Sequence, residues 1–256
     1  MSSFIFRYIL VTKHYFALRL IPKNLLVGVS IIMFACCTPF QQKEKHAEGK
    51  NTSVSSAKRA DMSPITPEPS DLARRLEDKG AASFFNYMLR PDVVASFWSE
   101  SNSRQNLENL VRDTSASPLA RFLACEVLFD KEFLFIGSVG PEIIAPVYVH
   151  ALQNNFTGFA NTWGLLYEHD DTGPVGSNLV TLGADAVPAL IPLLSDERVL
   201  LEYKGSEETI VGNDYKFRIK DFAAYYLSKI TRTPILYHED YAARDQAIDA
   251  LRATIQ

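Results

Sequence analysis

One stretch of the chain, from Gly183 to Ile230, constrains the fold more than any other. It holds two segments in which apolar residues recur at the three- and four-residue spacing of one helix face. The apolar positions are Val187, Leu190, Ile191 and Leu194, followed by Ile219, Phe222, Ala223, Tyr226, Leu227 and Ile230. Because neither helix can bury its apolar face alone, we expect the two to pair as a hairpin that stacks on similar hairpins.

The same pattern occurs earlier in the chain. Gly140–Val147 aligns with Gly183–Leu190 at an offset of about 43 residues, which lies within the roughly 40–47 residues of two-helix repeats. Ser117 is a good N-cap residue, and Pro118 suits the first position of a helix. These signals predict another helix that runs from Pro118 to Leu128.

The segment from Asn106 to Leu128 resembles a HEAT repeat of the armadillo-like class. In such a repeat a first helix ends in an apolar pair followed by Asp, and a second helix carries Arg, Ala and Leu. The residues at these places are Asp113, Arg121, Ala124 and Leu128. The resemblance extends over about Arg104 to Ile230. It implies an all-α fold, an α-solenoid of HEAT-like helical hairpins over residues 70–256, with a concave face of the kind that usually binds macromolecules.

The chain ends with a predicted helix from about Asp240 to Ile255. Its expected inner face consists of Tyr241, Ile248, Leu251 and Ile255. Its expected outer face consists of Arg244, Asp245, Asp249 and Arg252. A polar outer face is what the terminal helix of a solenoid requires, so we expect this helix to cap the stack.

Residues 1–35 have the composition of a targeting segment. Basic residues precede the uncharged run Leu25–Ala35, which has about the length of a signal-peptide core and is short for a membrane-spanning helix. Met33–Cys36 resembles the lipobox of bacterial lipoproteins, in which a cysteine after a small residue is lipidated. The resemblance implies that 1–35 is a signal peptide and that acyl chains such as palmitate on Cys36 anchor the protein. An ordinary cleaved signal peptide and an uncleaved anchor are the alternatives.

Residues 36–69 are predicted to form a flexible polar linker that starts at the lipidated cysteine. Gln, Lys, Glu, Ser, Thr and Pro dominate this stretch, which is too polar to bury enough surface to offset its ordering entropy. The first 35 residues contain no acidic side chain, so the rest of the chain is more acidic than the overall net charge of −4. This balance argues against non-specific binding to nucleic acid.

Two insertions interrupt the helical pattern, and insertions in repeat proteins form loops. The first, residues 154–171, is rich in aromatic side chains, of which Trp163 and Tyr167 are candidate anchors for a protein partner. The tetrapeptide Glu168–Asp171, with His169, could alternatively bind a divalent metal ion or share a proton.

The second insertion, residues 197–215, is predicted to be a small β-hairpin. Val199, Leu201 and Tyr203 alternate with other residues, and Gly205 precedes a second alternating run. The candidate partner-binding residues on it are Tyr203, Glu207, Glu208 and Tyr215. The tyrosines would serve as anchors and the carboxylates would meet a basic partner.

Recognised catalytic motifs are absent from the sequence. It contains no phosphate-binding glycine loop, HExxH, nucleophile elbow or CxxC, and it indicates no cofactor. Cys125 is predicted to be a small core residue, and Glu126, by the HEAT alignment, is predicted to face solvent.

These observations predict a membrane-anchored lipoprotein of the cell envelope, on the periplasmic side or the cell surface. Its helical-repeat domain is expected to bind another protein without catalysis. Two alternatives remain open. One is a metal-dependent enzyme, or an accessory to one, that uses the loop around His169. The other is an immunity-type or structural envelope protein.

Overall fold

Helices account for nearly all regular structure in the computed structural model, which describes residues 69–166, 171–236 and 238–255. Within these ranges there is no β-strand, so the predicted all-α class is confirmed. The predicted signal peptide 1–35, the lipidation site Cys36 and the linker as far as residue 68 lie outside the described residues.

Proline, serine and glycine set the ends of the first helices. These are α1 (Pro69–Phe84), α2 (Arg90–Trp98), α3 (Ser103–Arg112) and α4 (Pro118–Lys131). As predicted, Ser117 caps α4, because its hydroxyl oxygen accepts a hydrogen bond of 3.1 Å from the Ala120 N–H. Gly80 has a φ of 69°, a left-handed conformation that favours glycine, and α1 is kinked there.

The second half of the domain contains shorter and more broken helices. They are α5 (Phe135–Val139), α6 (Pro141–Gln153), α7 (Gly173–Thr181), α8 (Val187–Leu190), α9 (Ser206–Tyr215), α10 (Ile219–Thr231) and α11 (Tyr241–Ile255). Single 3-10 turns lie at Ala160–Thr162, Gly183–Ala186 and Ile191–Ser195. The last two flank α8, so the helix predicted over residues 183–196 is interrupted. Pro188 and Pro192 lack the N–H that a continuous α-helix needs.

Two helices organise the packing. Helix α4 packs against α1, α2, α3 and α6, and every residue from Phe122 to Leu128 is buried. Helix α10 packs against α7, α8, α11 and the Ile191–Ser195 turn. Leu190 and Leu227 are both buried, and the segments that carry them contact each other.

The prediction of a β-hairpin between residues 197 and 215 is wrong. Leu201 and Tyr203 are buried on one side of an extended segment, as the alternation indicates, but this segment bonds to an earlier loop. The Ala160 N–H donates to the Glu202 carbonyl at 2.7 Å, and the Asn155 amide donates to the Leu200 carbonyl at 2.9 Å. Gly205 then turns the chain into α9, whose first residues, a serine and two glutamates, favour a helix start.

A search of the described helices for membrane spans finds no single one that is both long and apolar enough. The two segments Gly173–Thr181 and Gly183–Ser195 qualify only when taken together, and a bend of 106° separates them.

Candidate partner-binding groove

Two of the residues predicted to bind a partner lie in the interior, which corrects that prediction. The Trp163 side chain is fully buried, and its ring lies 6.4 Å from that of Phe122, while its Nε1–H donates to the Thr157 hydroxyl. Tyr203 is also buried, with its hydroxyl donating to the Gly164 carbonyl. Burial raises the pKa of Tyr203 above its ordinary value. Both aromatic rings contribute to the core and offer no surface for a partner.

Three of the other predicted residues lie on α9. Glu207 is exposed on α9, where Glu208 also lies, and Tyr215 ends that helix half-buried against Phe217 at a ring distance of 5.1 Å. Tyr167 falls outside the described residues, as does His169 of the proposed metal loop. Of the five described residues, the buried Trp163 and Tyr203 therefore do not share an exposed surface with Glu207.

The metal hypothesis gains no support from the described part of the chain. Asp171, the one described residue of the Glu168–Asp171 loop, accepts a hydrogen bond of 2.8 Å from the Gly173 N–H, which shapes the start of α7. Across the described ranges there is no group of three or more His, Cys, Asp or Glu residues that could hold an ion.

A groove of about 950 Å³ opens between the end of α1 and two later loops. One wall comes from the residues after the Gly80 kink, the other from residues 156–161 and the chain before α9. Its side-chain lining is Ala81, Ala82, Phe85, Asn86, Tyr87, Phe156, Thr157, Phe159, Asn161 and Lys204. We call this cavity the aromatic groove.

Local hydrogen bonds and ring contacts fix the walls of the aromatic groove. The Asn86 side-chain oxygen accepts the backbone N–H of Met88 at 2.9 Å, which holds the turn that carries Tyr87. The Phe85 ring lies 5.8 Å from that of Phe122 in the core. On the opposite wall, the Asn161 amide donates to the Lys204 carbonyl at 3.0 Å and accepts its N–H at 2.9 Å. The groove is thus preformed by folded chain.

The chemistry of the aromatic groove suits binding and offers no acid–base pair. Among the described residues that line it, Lys204 alone is charged, and its ammonium lies 4.5 Å from the centre of the Phe159 ring. Tyr87 is 86% exposed, which is unusual for so large an aromatic side chain. Apolar walls with one cation fit an extended segment that carries apolar side chains and a carboxylate.

Sequence reasoning did not find this groove. Phe85 and Tyr87 belong to an aromatic-rich stretch typical of a core, and Phe159 lies in the first insertion without any feature that singles it out. The nearest signal was Gly80, a residue type that favours a break in a helix and that kinks α1 just before the groove residues.

A second polar cluster lies deep in the domain and corrects another expectation. Glu126, predicted to face solvent, is only 1% exposed. Its carboxylate accepts hydrogen bonds from the Tyr148 hydroxyl at 2.5 Å, the Asn178 amide at 3.1 Å and the Arg90 guanidinium at 3.1 Å. Burial and the adjacent carboxylate raise the pKa of Tyr148 well above its ordinary value. With all three donors engaged, the cluster serves to join helices.

A third cluster attaches the C-terminal helix. Arg244, predicted to face outward, is fully buried, with a guanidinium nitrogen 3.0 Å from the buried Asp221 carboxylate. Other guanidinium hydrogen bonds reach the carbonyls of Tyr215 and Glu239. Nearby, Arg218 contacts Asp221, and both Arg218 and Lys220 contact Asp245 on α11. Charge and hydrogen bonding therefore hold α11 in place alongside its buried Ile248 and Leu251.

Comparison with known proteins gives a short result. No family model, curated protein or solved structure matches this chain.

Proposed function

We propose that this chain is a lipid-anchored protein of the cell envelope, on the periplasmic side or the cell surface, whose helical domain binds another protein without catalysis. The lipidated residue is Cys36, after a signal peptide of residues 1–35. The domain is proposed to be a HEAT-like stack of helical hairpins. Contacts of α3 with α4, and of α10 with α8 and the Ile191–Ser195 turn, support that arrangement.

The aromatic groove is the observation that carries the binding proposal. A preformed concavity of about 950 Å³ with an exposed tyrosine at its rim is typical of sites that receive side chains from a partner. Phe85, Phe156 and Phe159 supply apolar contact area, and Lys204 supplies a positive charge at one end. The partner is accordingly an envelope protein that presents an extended apolar segment with an acidic residue.

Site-specific photo-crosslinking tests this proposal. A photoreactive phenylalanine analogue at Tyr87 in the full chain, expressed in its native membranes, should give a discrete crosslinked protein. The same analogue at Leu236, which is also exposed but lies near α11, provides the matched control. Phe159→Ser and Lys204→Ala should each weaken the crosslink at Tyr87, because they remove apolar area and charge from the groove. Equal crosslinking from positions 87 and 236 would contradict the proposal.

A further inference from the structure

Four large apolar side chains are exposed on two loops of the domain. Met88 and Leu89 in the loop before α2 are 69% and 49% exposed, and Phe133 and Leu134 in the loop before α5 are 56% and 75% exposed. We call these four residues the apolar tip. Single exposed apolar residues are ordinary, but two consecutive pairs on adjoining loops are not.

The two loops of the apolar tip lie side by side. Arg90, directly after Leu89, donates to the Glu126 carboxylate at 3.1 Å and has its Nε 3.9 Å from the Asp130 carboxylate. Asp130 is three residues before Phe133, whose ring lies 6.4 Å from that of Phe129. An ion pair therefore holds the ends of α2 and α4 together, and both apolar pairs emerge next to it.

Local hydrogen bonds hold both loops in shape. The Asn86 side chain accepts the N–H groups of Met88 and Leu89, and the Glu132 carbonyl accepts the Phe135 N–H at 2.9 Å. The apolar side chains are consequently presented to the outside by an ordered framework, so that burying them on a partner surface costs little additional backbone entropy.

Charges around the apolar tip are paired. Asp130 contacts Arg90 and also Lys131 at 3.0 Å, and Glu132 lies 3.6 Å from Arg104. No excess of positive charge accompanies the apolar residues in these two loops, so attraction to anionic lipid headgroups is not what the surface offers. The surface instead presents apolar side chains, which partition into the headgroup and acyl boundary of any bilayer.

We propose that the apolar tip inserts into the surface of the lipid bilayer to which the chain is anchored. This inference rests on the proposed lipid anchor at Cys36. Residues 37–68 separate that cysteine from α1, and even fully extended they reach only about 110 Å. Within that reach the bilayer is present at high effective concentration, so a weak apolar contact is enough to orient the domain.

The depth of tryptophan reporters tests the insertion. The full lipidated chain, reconstituted in phosphatidylcholine vesicles with brominated acyl chains, would carry Met88→Trp or Leu134→Trp. Leu236→Trp, at an equally exposed position, is the matched control, and the parent chain corrects for Trp98 and Trp163. Bromine should quench the reporters at 88 and 134 at least about two-fold more than the reporter at 236, and 0.5 M NaCl should leave this difference in place.

A charged variant provides an independent readout. Leu89→Glu together with Phe133→Glu should remove most of the quenching at Met88→Trp while circular dichroism stays unchanged, because both positions are exposed. Phe159→Ser, in the aromatic groove, should leave the quenching unchanged. Insertion would be overturned if bromine quenched the Met88→Trp reporter as strongly with the two glutamate substitutions as without them.

The possible results distinguish a failure of the proposed lipid anchor from a failure of the apolar tip to insert. A chain that floats with the vesicles but shows equal quenching at positions 88, 134 and 236 retains its anchor and overturns the insertion alone. A chain that fails to float overturns both proposals. Photo-crosslinking from position 88 to a protein, with no transfer to lipid, would assign the surface to a protein partner and overturn insertion.

Discussion

Glu126 shows how one buried charge can join several helices. Its carboxylate lies on α4 and accepts hydrogen bonds from Arg90 on α2, Tyr148 on α6 and Asn178 on α7. A buried carboxylate is costly unless donors satisfy it, and removing it leaves those donors without an acceptor. The stability of the domain should therefore be more sensitive to truncation of Glu126 than to truncation of an exposed carboxylate.

Glu126→Ala is therefore expected to lower the free energy of unfolding by about 3 kcal/mol. Glu126→Gln should cost less, because its amide oxygen still accepts one hydrogen bond. Urea denaturation followed by circular dichroism measures both. Glu142→Ala, at an exposed glutamate on α6, is the control and should change stability by less than about 0.5 kcal/mol. Equal stabilities for the Ala variants at positions 126 and 142 would exclude a structural role for this cluster.

A second prediction at the scale of single residues concerns pH. The hydrogen bond from Arg198 holds the pKa of Asp196 below its ordinary value of 3.8. A carboxyl with a lowered folded-state pKa stabilises the fold above its unfolded pKa, and this stabilisation is lost as pH falls through the folded pKa. The free energy of unfolding should therefore decrease below about pH 4, and Asp196→Asn should make that decrease shallower. A pH profile identical to that of the parent would contradict the assignment.

At the scale of elements, Gly176 allows α7 to approach α10 closely. A Cβ added at this position would lie 2.7 Å from the Trp163 carbonyl oxygen and 2.8 Å from the Tyr226 ring, and both neighbours are buried. Since the carbonyl belongs to the backbone, the contact cannot be relieved by a side-chain rotation. Helix α7 would have to move away from the Trp163 backbone and from Tyr226 on α10.

Gly176→Ala is expected to destabilise the domain by about 2 kcal/mol through this overpacking. Gly137→Ala is the matched control, because Gly137 lies in α5 and a Cβ there meets nothing within 4 Å. That substitution should be neutral or stabilise by up to about 1 kcal/mol, as alanine favours helices over glycine. Thermal unfolding of both variants tests the pair, and a stable Gly176→Ala chain would show that the α7–α10 contact is looser than described.

The elements also show which features the sequence could predict. Helical periodicity identified α4 and α10 and their buried faces because apolar spacing depends only on local order. It failed between residues 197 and 215, where the sequence predicted a hairpin with Tyr203 as a partner-binding residue. In the structure Leu201 and Tyr203 are buried, and their segment bonds to residues 155–161. Which distant loop donates hydrogen bonds to the Leu200 and Glu202 carbonyls is a property of the tertiary fold.

The candidate site was less predictable for the same reason. The aromatic groove combines Phe85, Phe159 and Lys204, which are far apart in sequence and share no spacing that a pattern could detect. Conversely, Trp163 has the residue type typical of an interface anchor, yet Thr157 satisfies its N–H inside the core. The residue type indicates what the Trp163 side chain can bind, but only the fold determines whether that side chain faces solvent.

For the domain as a whole, the buried charges around Arg244 are expected to couple the unfolding of α11 to that of the remaining helices. The described part of the chain contains two tryptophans, Trp98 on α2 and the buried Trp163, and neither lies on α11. Helix α11 is joined to α10 through the Arg244–Asp221 contact and the Arg218–Asp245 contact. Apolar contacts of Ile248 and Leu251 add to these.

Arg244→Ala removes a fully buried cation and leaves part of the Asp221 carboxylate without its donor, a change expected to cost about 3–5 kcal/mol. Because the loss falls at the attachment of α11, this helix should melt before the tryptophan-containing core.

In the parent chain, urea transitions followed by far-ultraviolet circular dichroism and by tryptophan fluorescence should coincide, as for a two-state domain. In Arg244→Ala the circular dichroism transition should begin at lower urea than the fluorescence transition. Asp249→Ala, on the same helix but with a side chain that is 75% exposed, should shift both transitions together and only slightly. Coincident transitions in Arg244→Ala would mean that the Asp245 ion pairs and the apolar contacts of α11 are enough to couple this helix to the rest of the domain.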